Sequence, residues 1–166
     1  MTKTAGKVPL SQVVGSVLPY LRRHARALTG SQEEGDRFAA ATLEVILKDR
    51  TSVTTGDMSP KEAVFAVFHR LWEETGGALE APASGERGAR AEAMRHLSRL
   101  TPRSREALLL HTVEEFTITE TARIMSLSAD EAARLVETAR TEMHEAVKGR
   151  VLIIEDESII AMDIEA

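Results

Sequence analysis

The 166-residue chain contains no cysteine. Disulfides, thiol nucleophiles and thiolate metal sites are therefore excluded, and a reducing compartment suits it. Aromatic residues make up only 4% of the sequence while alanine and leucine are plentiful, which favours helices packed on helices over a β-sandwich. No stretch approaches the ~20 apolar residues of a membrane helix, and no basic start leads into a long apolar run. A soluble, cytoplasmic protein is expected. His24, His69, His96, His111 and His144 stand at no close metal-ligand spacing, and no glycine-rich phosphate loop is visible, so enzymatic activity is not expected. What the chain does have is 43% hydrophobic residues, enough for the cores of one or two small domains.

Charge is unevenly placed. Residues 1–30 hold Lys3, Lys7, Arg22, Arg23 and Arg26 with no acid, so a stretch of +5 leaves the remainder of a −5 chain at −10. A basic helix face in solvent is the expectation, with a contact for an acidic partner as the other reading. Helical periodicity begins at Leu10 and runs through Val13, Val14, Val17 and Leu18 to Pro19, which should end or kink the turn. Tyr20, Leu21, Ala25 and Leu28 continue the stripe to Gly30. Ser31 with Glu34 caps a second helix to about Leu47, with Phe38, Ala41, Thr42, Val45 and Ile46 at helical spacing. Ser59-Pro60-Lys61-Glu62 starts a third, whose apolar face is Val64, Val67, Phe68, Leu71 and Trp72. Gly76 to Arg90 is rich in glycine, alanine and proline and reads as a flexible linker. Each lobe has a thin core alone, so the two are expected to pack on one another or on a third element.

Three more helices are expected over residues 101–147. Thr101-Pro102 opens one to about Glu114, because proline pre-sets φ at the first helical position. Thr117 with Glu120 and Ser128 with Glu131 form two capping boxes eleven residues apart, around Met125-Ser126-Leu127. That spacing is a helix-turn-helix. Thr101 through Leu110, then Phe116-Thr117 through Ala139-Arg140, resembles region 4 of an extracytoplasmic-function sigma factor. Leu21 through Gly30 and the helix after it resemble sigma region 2.

Two departures set the chain apart from that likeness. A helix-turn-helix puts the N-terminal end of its second helix into the major groove, and here that turn carries Asp130 and Glu131. From Glu114 to Glu137, six acids face Arg123 and Arg134, a net of −4 that would repel phosphates. Acids in a first turn also complement the helix dipole, so capping alone is the other reading. Secondly, the region 2-like lobe stops at Trp72-Glu73-Glu74, where a promoter-melting sigma factor continues into a basic, aromatic helix.

The tail changes character. Val151-Leu152-Ile153-Ile154 followed by Glu155-Asp156-Glu157 resembles the first strand of a response-regulator receiver. The combination of sigma-like and receiver segments resembles the PhyR-type general stress response regulators. The expected fold class is all-α: two helical lobes resembling sigma regions 2 and 4, the second a helix-turn-helix, plus an incomplete receiver fragment. Its divisions would be 1–75, a linker at 76–90, 91–148, and the receiver start at 149–166. A lone strand without its sheet is expected to be disordered or helical.

The resemblance implies an anti-anti-sigma factor that mimics a sigma factor and sequesters a NepR-type anti-sigma factor under phosphorylation control. The competing function is a DNA-binding sigma factor or helix-turn-helix transcription regulator. Candidate partner-binding residues are Phe68, Leu71, Trp72, Asp130, Glu131, Leu135 and Val136, the apolar ones fitting a core equally well. The resemblance also implies that Glu155 and Asp156 would help bind magnesium in a complete receiver, since carboxylates are suitable hard ligands. This chain itself is expected to hold no cofactor and no phosphoacceptor. The implied partners are the anti-sigma factor and the protein's own receiver, without DNA or membrane.

Overall fold

The structure, a computed structural model, describes residues 9–53, 57–76 and 88–147. The receiver-like tail, with Glu155 and Asp156, lies outside the described residues, as does most of the linker. Among the described residues there are seven α-helices, one 3₁₀ turn and no strand. The fold is all-α.

Helix α1 (Leu10–Thr29) continues through Pro19, so the proline does not end it. Pro19 removes only the hydrogen bond to the Gly15 carbonyl, and both residues are exposed, so water can take that carbonyl. The buried stripe of Val17, Leu21, Ala25 and Leu28 keeps the turns on either side packed on the core. At its C-terminus Gly30 adopts φ 78° and closes the helix by donating to the Arg26 carbonyl at 3.1 Å.

Helix α2 (Gln32–Lys48) is capped by Ser31, whose hydroxyl accepts from the Glu34 amide. It packs closely along α1. At Gly35 a Cβ would lie 2.6 Å from the Arg26 Cα, so only glycine allows this approach. Beside it, Arg22 and Arg26 each donate two hydrogen bonds to the Asp36 carboxylate, at 2.7–3.0 Å. The expected solvated basic face is thus a clamp between α1 and α2. The same contacts hold the Asp36 carboxyl well below the usual range.

A 3₁₀ turn (Arg50–Val53) leads to α3 (Pro60–Glu74), which opens on a full Ser59–Glu62 capping box with proline in its first turn. After the linker, α4 (Ala89–Leu97) follows Gly88 at φ 110°. It lacks a side-chain cap, and of its side chains only Ala91 is described as buried, so the sequence pattern carried no signal for it.

Helix α5 (Pro102–Thr112) ends two residues earlier than expected. Glu115 turns the chain at φ 60°, and the Phe116 amide donates back to the Leu110 carbonyl at 3.1 Å. Helices α6 (Ile118–Ile124) and α7 (Ala129–Val147) form the helix-turn-helix, and both expected capping boxes are in place. Between them Ser126 at φ 55° and the Leu127 amide bonded to the Ala122 carbonyl at 2.8 Å make the turn.

One hydrophobic cluster runs from Val17 on α1 to Ala139 on α7, so the lobes share a core. Helix α3 packs on α6 and α1 on α5. Phe65 of α3 meets Phe116 edge-on, with ring centroids 5.1 Å apart.

Replacing Gly35 by valine should force α1 and α2 apart and cost about 1–3 kcal/mol. A lowered urea midpoint at unchanged slope would report it.

Candidate partner-binding surface

The seam between the lobes is unusually polar. Glu114, buried in the α5–α6 connection, receives two hydrogen bonds from Arg23 of α1, at 2.9 and 3.1 Å. Its backbone carbonyl accepts from the Lys61 ammonium of α3 at 2.7 Å. That ammonium also lies 4.5 Å from the centre of the Phe116 ring. Glu62 of α3 is buried and forms an ion pair with Arg123 of α6 at 2.7 Å, while its other oxygen accepts from the Ser59 amide. His69 of α3 and Glu106 of α5, both buried, meet at 2.9 Å between Nδ1 and Oε1.

His69 and Glu106 form a coupled pair. Burial pushes the His69 imidazole down, but the Glu106 hydrogen bond and charge outweigh it and its pKa is raised. Burial pushes Glu106 up against the pull of His69. The pair therefore retains one proton beyond the range in which a free histidine loses it. His24 behaves oppositely. It is wholly buried between Phe65 and Phe68, its ring nitrogens lack hydrogen-bond partners, and burial first of all pushes its pKa down to about 3.

Two grooves open on either side of Trp72. The first, about 530 Å³, lies between α2 and α3 and is lined by Phe38, Ala41 and Trp72, with the paired Glu34 and Arg37 beside them. Phe38 and Trp72 meet edge-on at 5.3 Å. The second, about 340 Å³, lies across the seam between α3 and α5 and is lined by Trp72, Glu73, Gly76, Pro102, Arg103 and Glu106. Trp72 is the wall between an apolar pocket and a charged one.

The candidate residues separate by burial. Phe68, Trp72 and Val136 belong to the core, at 2% exposure or less. Leu71 and Leu135 are half-buried, and Asp130 and Glu131 are exposed. Leu71 and Trp72 share α3, whereas Leu135 and Val136 lie on α7 of the other lobe. Sequence reasoning missed Phe38, Arg103 and Glu106 as groove residues. Phe38 was legible only as an apolar position, and nothing in the sequence pairs Glu106 with His69.

The six acids counted from Glu114 to Glu137 do different jobs. Glu114 is consumed by the seam, and Glu120 and Glu131 accept from the amides and hydroxyls of Thr117 and Ser128. Those bonds lower both carboxyl pKa values. Asp130 and Glu137 remain exposed on α7, and Arg123, one of the two balancing cations, is engaged by Glu62.

Because His24 is neutral when folded, acidification from pH 6.5 towards 3 adds a proton only to the unfolded chain, and stability falls across that window. His24→Leu should reduce the loss. Urea midpoints at pH 6.5 and 4.5 for both forms check it.

Comparison with known proteins places both lobes. The family described as the Sigma2 domain of PhyR matches residues 14–69, and the sigma-like domain of the response regulator PhyR matches residues 97–146. The phyllosphere-induced regulator PhyR of Methylorubrum extorquens is 36% identical over 163 residues, covering 94% of this chain and 57% of that protein. The chain thus spans just over half the length of that relative. The PhyRSL–NepR complex of Sphingomonas sp. Fr1 contains a chain 32% identical, with a TM-score of 0.70, covering 90% of this chain and 96% of that one. The sigma factor RpoE of Bartonella quintana, solved with the anti-sigma factor NepR, shares the fold at 20% identity and a TM-score of 0.65, over 85% of this chain and 98% of that one. The two sigma-like segments, matched in order over residues 14–69 and 97–146, place this chain in the PhyR family.

Proposed function

We propose that the chain is an anti-anti-sigma module that captures a NepR-type anti-sigma factor by presenting the shape of a sigma factor. The observation that carries this reading is the likeness, over almost all of both chains, to a PhyR module solved in complex with NepR. The shared fold of a sigma factor solved with NepR supports mimicry as the mode of capture.

The geometry supports a helix-in-groove mode, in which an amphipathic partner helix sets apolar anchors at i, i+3, i+4 and i+7 into a preformed surface. Half-buried Leu71 and Leu135 are available for direct contact. Phe68, Trp72 and Val136 act from beneath, by fixing the shape of the surface. Exposed Asp130 and Glu131 offer carboxylates to basic side chains of the partner. The same two acids, at the end of α7 that a helix-turn-helix would insert into DNA, disfavour promoter binding. In a longer protein a receiver after α7 would control access to this surface. Glu155 and Asp156 would serve its magnesium there, and the lobe boundaries would be those at 1–75 and 91–148.

Titration with a NepR-type anti-sigma factor should give 1:1 binding at physiological salt, and a promoter duplex should give none. Specific promoter binding without capture would overturn the proposal. Leu71→Ala and Leu135→Ala should each weaken capture by ~2 kcal/mol or more. Unchanged melting temperatures would separate lost contact from lost folding.

A further inference from the structure

The charged groove beside Trp72 has buried Glu106 in its lining, and Glu106 pairs across the seam with buried His69. From α3, His69 points Nδ1 at Glu106 of α5 at 2.9 Å and Nε2 at Glu73 of its own helix at 3.5 Å. Glu73 in turn faces Arg103 of α5 at 3.5 Å. The four groups form a chain that crosses from α3 to α5 at both ends. His69 and Glu106 are buried, whereas Glu73 and Arg103 are about half-exposed at the rim of the groove. Besides these three, the titratable neighbour of His69 is His24 on α1, which burial keeps neutral, and Glu106 also lies within reach of the charge of the buried Arg105 guanidinium on its own helix.

We propose that this cluster is a proton-dependent latch on the lobe seam, closed while the His69 imidazolium donates to Glu106 and holds the Glu73 carboxylate by charge, and loosened when one ring proton leaves. As imidazolium, His69 donates Nδ1–H to Glu106 and turns its second N–H, which makes no hydrogen bond, towards the Glu73 carboxylate 3.5 Å away. After deprotonation the remaining N–H stays with buried Glu106, where the desolvation penalty is largest. Nε2 then turns a lone pair towards the Glu73 carboxylate. Glu73 is repelled, its contact with Arg103 weakens, and the groove rim and seam lose a link.

The sign follows from the geometry. The closed seam holds a proton that separated lobes would release to water near the ordinary histidine pKa. Closure is therefore favoured below about pH 6.5 and lost as pH rises through the higher value of the folded pair. The lowered value of His24 acts in the other direction, so stability falls on both sides of about pH 6.5, towards acid through His24 and towards alkali through the His69–Glu106 pair. The functional consequence rests on the reading of this groove as part of the capture surface: alkalinity should weaken capture.

The test uses the native lack of cysteine. Spin labels at Leu47→Cys on α2 and Thr138→Cys on α7, both exposed positions, report the distance between lobes. Between pH 6.5 and 9 the distribution should broaden in the otherwise unchanged chain, with the His69 ring titrating over the same range by NMR. His69→Gln and Glu106→Gln should abolish that pH dependence; both keep a polar side chain for the remaining partner. A distribution unchanged from pH 6.5 to 9, or equal broadening in His69→Gln, overturns the latch. Capture of a NepR-type anti-sigma factor should be weaker at pH 9 than at pH 6.5. Absence of capture at every pH would instead refute the proposed function, and leave the distance measurement to decide the latch.

Discussion

Three carboxylates are removed from water where the two lobes meet, and each is answered by a cationic or imidazole group from the opposite lobe. Glu62 of the first lobe meets Arg123 of the second, while Glu106 and Glu114 of the second meet His69 and Arg23 of the first. Desolvating such groups costs several kcal/mol each, and the attraction repays it only in good geometry. The net gain in stability is modest. What the arrangement gives is specificity: a shift of one lobe against the other would leave buried carboxylates without partners. The shared apolar core from Val17 to Ala139 supplies the driving force, and the seam fixes the register.

Helix α3 is where these demands converge. Its buried side chains Phe65, Phe68 and Trp72 belong to the core, while Lys61, Glu62 and His69 reach across the seam. Trp72 and Glu73 then shape the two grooves. A surface built from one rigid helix and its neighbours is largely formed before any partner arrives, which lowers the ordering cost of association. The acids of the helix-turn-helix fit that role. Those at the caps stabilise α6 and α7 locally, and Asp130 adds negative charge where a DNA reader needs the opposite.

Much of the fold was legible because its signals are local. The capping boxes at Ser59, Thr117 and Ser128, the proline starts and Gly30 all act within one helical turn, and the helices form as their spacing indicates. Pro19 does not end α1, because a missing hydrogen bond on an exposed face is cheap when packing holds the other face. Helix α4 has neither cap nor stripe to reveal it. The site was harder to read, since its contacts join distant positions. Arg22, Arg23 and Arg26 look like a solvated basic face until Asp36 and Glu114 are brought to them, and His69 gives no sign of Glu106 thirty-seven residues away. The need for glycine at position 35 shows only once the Arg26 backbone is brought against it.

A shared core and a register-fixing seam make the two lobes one cooperative body. Trp72 is the sole tryptophan and reports the first lobe, while a fluorophore at Thr138→Cys on α7 reports the second. Urea unfolding followed through both should give superimposable transitions with one midpoint and one slope. Two separated transitions would show lobes that fold independently, and would contradict the claim that a shared core and a register-fixing seam create the surface.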